Sequence, residues 1–455
     1  MVADSLRVRR PRRGAGRGHP GVRKLALRVA AVAVLVALTA GVAPAAYAQT
    51  TPAPVPQESP GVDPMRAQEY WLDAYGIRKA WETTRGKGVK IAIIDTGIGK
   101  APEFDGAVIG GTDVSGLGTA DGRTPVGAVD ANHGSWVASL AASRGLPNET
   151  GMIGVAPEAS LLSVSVGFGT SSPVPFSEQI ANAMRWSVDN GAKVINLSFT
   201  TNTLDWDPSW DDAFQYAFEH DVVVIVAAGN RGSGTARVGA PATIPGVLPV
   251  AGVDPQGKAS VEASTQGITL GVSAPSEQLL GVSADGQVVV WKGTSGAAPI
   301  VAGIAALVRA AHPELDAANV IERLIATAKA PAGVGSLPDD QYGYGLVDAA
   351  AAVSASVPQV SANPMGDLSE WIRVHRRAEE SPAPLPTVGE ASVPPLPPAE
   401  AGSRPASPLL PSMDTLLYGS IPLLVFSVAA ILIALGVSAA VRRIRLARVE
   451  RARSR

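Results

Sequence analysis

A serine hydroxyl is a poor nucleophile at neutral pH until a base takes its proton, so a chemically active serine must come with partners. In Gly293-Thr294-Ser295-Gly296-Ala297-Ala298-Pro299, glycine and small residues crowd Ser295 at the mouth of an apolar, alanine-rich helical pattern from Ala297 to Ala311. The partners lie upstream. Asn132-His133-Gly134-Ser135 puts a histidine at the start of a small-residue helical pattern, and Ile91-Ala-Ile-Ile-Asp95-Thr96-Gly97 ends an apolar run in a carboxylate and a glycine turn. A nucleophile, a base and an orienting acid are what acyl transfer through a covalent intermediate requires. Taken singly, each has a plainer role. Asp95 is also an ordinary strand-to-turn residue, and a lone histidine is usually a surface or capping group. That second role suits His220 at a helix end, His312 before a proline and His375 among arginines.

Such groups need a scaffold, and the hydrophobic pattern supplies one. Short runs rich in Val and Ile (Val89 to Ile94, Leu161 to Val166, Val194 to Leu197, Val222 to Ala228, Val247 to Val253) read as buried parallel strands. Helical patterns at Gly134 to Ser143, Ser177 to Asn190, Trp210 to His220, Ala297 to Ala311 and Ala317 to Ala330 alternate with them or follow, and another covers Ala67 to Thr84. The alternation predicts an α/β fold, a doubly wound, mostly parallel sheet flanked by helices, whose sites form at the carboxyl ends of strands. Asp95, Ser198 and Asn230 are at such ends.

Three motifs in the chain order Asp, His, Ser resemble the subtilisin-type serine peptidases, over about residues 70 to 352. A fourth, Val222-Val-Val-Ile-Val-Ala-Ala-Gly229-Asn230, is similar to the strand that carries the family's oxyanion-hole asparagine, and Gly191-Ala-Lys-Val-Ile-Asn-Leu-Ser198 to its substrate-binding strand. The resemblance implies that Ser295 attacks the scissile carbonyl, His133 carries the proton and Asp95 fixes the imidazole. It further implies that Asn230 and the Ser295 N–H hold the oxyanion, and that Ser198, Phe199, Thr200 and Gly229 line the substrate pocket. Thr200 stands where the family commonly has glycine, which predicts a narrowed pocket. Ser135 and Ser139 also depart from the family pattern. No cofactor is implied, and Asp105, Asp113, Asp121 and Asp130 show no metal-ligand spacing.

The chain of 455 residues contains no cysteine, which excludes disulfides, thiol catalysis and cysteine-ligated metal. Its formal charge of −2 hides basic ends. Residues 1 to 28 carry nine Arg or Lys and one acid, and residues 442 to 455 carry seven Arg and one Glu. Between them 22 basic residues face 38 acidic ones, a net of −16, which argues against nucleic-acid binding.

After Lys24 and Arg28, the apolar run Val29 to Ala43 and Ala46-Tyr47-Ala48 read as a secretory signal, residues 1–48, with an uncleaved anchor as the alternative. Residues 49–66 are proline-rich and leave no room for a folded pro-domain. The peptidase domain is expected over 67–355 and a proline-rich linker over 356–415, with ten prolines between 381 and 411. Residues 416–441 are uncharged, about 39 Å as a helix against a hydrocarbon core of about 30 Å. The basic tail 442–455 places that end in the cytoplasm and the domain outside a single-pass membrane anchor. This architecture resembles the mycosins, membrane-anchored peptidases that accompany type VII secretion in actinobacteria. Mycosins tend to contain cysteines, so a generic anchored subtilase stays open. Two functions follow: an endopeptidase acting on exported proteins or peptides, or a scaffold subunit of a secretion complex in which proteolysis is secondary.

Overall fold

The computed structural model describes residues 63–127, 131–168 and 172–376, together with 424, 427–428, 432, 435–439 and 441–443. The expected signal segment 1–48 and the spacer stretch 381–411 lie outside these residues. The chain forms two units, Met1–Glu380 and Ser381–Arg455.

In the first unit, strand β1 (Lys90–Asp95) turns Ile91 and Ile93 to one apolar layer and Ala92 and Ile94 to another. A strand buried on both faces must be uniformly apolar, which is why its sequence does not alternate. The chain next forms β2 (Val108–Asp113), a short antiparallel pair β3 (Arg144–Leu146) and β4 (Thr150–Ile153), and β5 (Ser160–Ser165). It continues through β6 (Val194–Leu197), β7 (Val223–Ala227), β8 (Leu248–Val253) and β9 (Val272–Pro275), then a hairpin of β10 (Leu279–Val282) and β11 (Val288–Trp291). Seven of these make one parallel sheet in the order β2-β5-β1-β6-β7-β8-β9. Strand order reverses at β1, flanked by β5 and β6, so a crevice opens beyond its carboxyl end. Asp95 is the last residue of that strand.

Helices α1 (Trp71–Ala74) and α2 (Ile77–Ala80) replace the single helix expected over 67–84, because Gly76, at φ 68°, breaks the run between them. The larger helices are α3 (His133–Ala142), α4 (Phe176–Asp189), α5 (Ser209–Glu219), α6 (Thr294–Ala311) and α7 (Ala317–Ala326). Helices α3 and α6 bury Val137, Leu140, Ile300 and Ile304 in one layer, while α4 and α5 bury Ile180, Met184 and Phe214 in the other. Helix α6 is long and apolar enough to cross a membrane, yet 83% of it is buried, so it is the central helix of the core.

The fold runs past the expected boundary at 355. After α8 (Ala349–Ser354) the chain makes α9 (Leu368–His375), which stacks Trp371 on Trp206 at 4.4 Å and buries Leu368. Arg376 then donates to Asp211 at 2.8 Å. The polar, proline-bearing stretch before α9 masks it in the sequence, and only contact with α5 and its approach reveals the apolar face. In the second unit every described residue is helical and exposed, including Leu424, Leu432 and Leu435.

Candidate active site

Asp95 is fully buried at the end of β1, and one of its oxygens accepts the Thr96 N–H at 2.7 Å. His133 Nδ1 lies 2.8 and 3.0 Å from the two carboxylate oxygens. An ionised carboxylate only accepts, so Nδ1 carries the proton and Nε2 is the basic nitrogen. The pairing depends on a close backbone approach. A Cβ on Gly134 would stand 2.6 Å from the Gly97 carbonyl oxygen and 2.9 Å from its nitrogen, so any side chain there pushes α3 off the strand end. Two hydroxyls stitch the elements together: the Gly134 N–H donates to Thr96 Oγ1 at 2.8 Å, and the Gly99 N–H to Ser135 Oγ at 2.9 Å. Ser139 Oγ accepts the Val282 N–H at 2.9 Å, tying α3 to the β10 strand. The two serines that depart from the family pattern therefore have structural work.

Ser295 is the second residue of α6, half-buried. Its hydroxyl donates to the Ser198 carbonyl at 3.0 Å, and the Ser198 hydroxyl donates back to the Ser295 carbonyl at 2.9 Å. Pro299 makes this possible. It has no N–H to occupy the carbonyl four residues back, which is that of Ser295, so that oxygen accepts a bond from the Ser198 hydroxyl, just past β6. Buried Asn196 donates to Ser198 Oγ at 2.8 Å and fixes its hydroxyl. Ser198, expected to touch substrate, thus spends its side chain on holding the helix start.

Asn230 follows the end of β7. Its carboxamide oxygen accepts from the Thr294 N–H at 2.8 Å and from Thr294 Oγ1 at 3.0 Å, and Thr294 Oγ1 accepts the Gly229 N–H at 3.0 Å. With its oxygen held, Asn230 turns its NH2 toward Gly293, where a Cβ would lie 3.1 Å from Nδ2. The Thr294 N–H is spent on that oxygen and the Gly296 N–H on the Gly293 carbonyl, so the donors at this corner suited to a developing oxyanion are the Asn230 NH2 and the Ser295 N–H. Thr294, named in the Ser295 motif but given no role there, is the lock of this corner.

The residues expected to line a substrate pocket divide. Phe199 packs into a ring cluster with Phe168 and Phe176 at 5.4 and 5.7 Å. The Thr200 hydroxyl lies 3.0 Å from the Thr201 carbonyl and 3.2 Å from the Gly239 carbonyl, which share its single proton, and its methyl lies 2.8 Å from where a Gly229 Cβ would stand. The Thr235 methyl is 2.6 Å from the same point. Two threonine methyls therefore close over Gly229, and no motif in the sequence pointed to Thr235. Beside His133 stand Trp291, at 5.7 Å between ring centroids, and Trp136, at 6.5 Å, also unforeseen. Among the described residues no group of three or more His, Cys, Asp or Glu is placed to hold a metal.

The model of the peptidase S8 subtilase family matches residues 86–345. Mycosin-4 of Mycobacterium tuberculosis is 33% identical over 68% of this chain and 74% of its own length. Subtilisin DY of Bacillus licheniformis is 35% identical over 59% of this chain and 92% of its own. Among solved structures, MycP3 protease from the type VII (ESX-3) secretion system superposes with a TM-score of 0.55 and 30% identity, covering 66% of this chain and 90% of that one. MycP1 with its N-terminal propeptide removed gives a TM-score of 0.55 and 28% identity, over 64% and 98%. A seven-stranded parallel sheet with this helix arrangement and this breadth of likeness has one consistent interpretation: the chain belongs to the subtilase family of serine endopeptidases and is of the mycosin type.

Proposed function

We propose that Asp95, His133 and Ser295 are the catalytic triad and that Asn230 with the Ser295 N–H binds the oxyanion, in an enzyme anchored by residues 416–441 that cuts exported proteins or peptides outside the membrane. The observation that carries this is the short Asp95–His133 contact, at the reversal of strand order and at the head of a helix packed on the one that bears Ser295. Ser295 Oγ bonds to the scissile carbonyl carbon as its proton passes to His133 Nε2, and the C–N bond breaks as that proton moves to the leaving nitrogen. Water, deprotonated by His133, then splits the ester and restores the serine. Buried Asp95 keeps the imidazole in the right tautomer and offsets its positive charge. The exposed apolar residues Leu424, Val428, Leu432, Leu435, Val437 and Val441, each helical, support the anchor, since a helix satisfies its own backbone and so suits a lipid surround.

Ser295→Ala should abolish peptide hydrolysis and labelling by an organophosphorus serine probe while the far-ultraviolet circular dichroism stays native. Labelling at the wild-type level would move the nucleophile elsewhere. Likeness to a protease from the type VII (ESX-3) secretion system supports a second role beside a secretion complex. If that role is a scaffold, secretion will survive Ser295→Ala and fail only when the whole protein is deleted.

A further inference from the structure

The imidazole that protonates the leaving nitrogen must be within hydrogen-bond reach of it, so the departing peptide begins beside His133. On that side the chain builds an aromatic wall. Trp136, one turn along α3, and Trp291, at the end of β11, lie 5.7 Å apart between ring centroids at 47°, and Trp291 meets the His133 ring edge-on at 77°. Each indole N–H is satisfied inward, Trp136 by Ser283 Oγ at 2.9 Å and Trp291 by the Leu280 carbonyl at 3.0 Å. That pins both rings and leaves apolar surface turned outward, and neither ring is fully buried.

Glycine makes the pair possible. A Cβ on Gly281 would come within 2.7 Å of Trp136 Cβ and 2.9 Å of Trp291 Nε1. A Cβ on Gly296, the residue after Ser295, would meet the Leu279 and Leu140 side chains and stand 3.3 Å from the Trp291 ring, so glycine there lets the edge of that ring pack close to the start of α6. The threonine-closed corner at Gly229 adjoins Asn230, whereas the tryptophans adjoin His133.

We propose that Trp136 and Trp291 form a specificity wall for the residue just after the scissile bond, selecting large apolar or aromatic side chains there. This rests on the proteolytic reading of Ser295 and His133. Pinned aromatic surface offers much contact area with little conformational entropy to lose, so the discrimination against glycine should be about 10-fold or more.

The test uses the full chain in mild detergent and the reverse of the leaving-group step. A peptide ester with Ala before the ester bond acylates Ser295, and added Phe-amide or Gly-amide competes with water. The amine nitrogen bonds to the acyl carbon and gives its proton to His133, which passes it to Ser295 Oγ as the C–O bond breaks. Phe-amide should capture the acyl group about 10-fold or more better than Gly-amide. Trp136→Ala and Trp291→Ala should each bring that ratio toward one. Equal capture by the wild type, with ester hydrolysis intact, would overturn the wall, and this measurement needs no variant to fold. Absence of ester hydrolysis would overturn the proteolytic reading and the wall with it.

Discussion

Glu69→Gln should stabilise the peptidase domain at neutral pH and remove one source of its pH dependence. Glu69 lies in the turn leading into α1, 1% exposed, and one oxygen accepts the Ile153 N–H at 2.9 Å from β4. The other oxygen has no hydrogen-bond partner among the described residues. Burial pushes its pKa from 4.5 up to about 8, against smaller opposing effects of the Ile153 bond, Arg66 and Arg78, with Asp63 adding slightly to the rise. The folded chain therefore keeps a proton that the unfolded chain releases once pH exceeds 4.5, so stability falls as pH rises from 4.5 toward 8 and levels off above. At about 1.4 kcal/mol per pH unit, the interval from 4.5 to 7 amounts to about 3 kcal/mol. Glutamine keeps an acceptor for Ile153 and cannot ionise. Its NH2 replaces the similarly unpaired acid O–H, so the desolvation costs nearly cancel. Urea unfolding of the full chain in mild detergent, followed by tryptophan fluorescence, should show the variant more stable by about 3 kcal/mol at pH 7 and equal to wild type near pH 4.5. Parallel pH profiles for the two proteins, or a less stable variant at pH 7, would refute the assignment of a neutral buried carboxyl.

Three further outcomes are expected. Thr200→Gly removes one of the two methyls over Gly229, so kcat/KM for Phe relative to Ala before the scissile bond should rise about 10-fold or more in matched peptides, at some loss of stability from the broken hydroxyl bonds. A wild type that already cuts faster after Phe than after Ala contradicts the closed pocket. Gly134→Ala forces a Cβ against the Gly97 backbone, displacing His133 from Asp95, and kcat should fall on the order of 100-fold in a folded protein, read by single-turnover assay. Unchanged kcat would show that α3 can shift without consequence. On intact cells, added protease should cut within 381–411, where ten prolines leave few protected backbone groups; cleavage only after lysis would reverse the proposed orientation.

The inner strands were legible because a strand covered on both faces has to be a continuous apolar run, and β1, β5, β6, β7 and β8 fall within one residue of the expected runs at every end. The edge strands β2 and β9 and the two antiparallel pairs were not, since Gly110 and Gly111 interrupt β2, Ser273 and Pro275 interrupt β9, and the paired strands are only three or four residues long. Asp95, His133, Ser295 and Asn230 could be picked out because each stands in a local motif whose glycines serve a backbone need within a few residues. What joins them could not. The Thr294 lock on Asn230 spans 64 residues, the Ser198 exchange with Ser295 spans 97, and the tryptophan pair brings together residues from α3 and β11. Local pattern records which face of an element is buried and where it must turn. Contacts between distant segments depend on how the elements are stacked, and no periodicity within either segment encodes its partner. The sequence by itself therefore determined the inner strands of the sheet and the residue types at their carboxyl ends. Tertiary structure decided that Ser198 ties to the Ser295 carbonyl at the head of α6, that Thr235 joins Thr200 over Gly229, that α9 stacks on the approach to α5, and that two indoles stand beside His133.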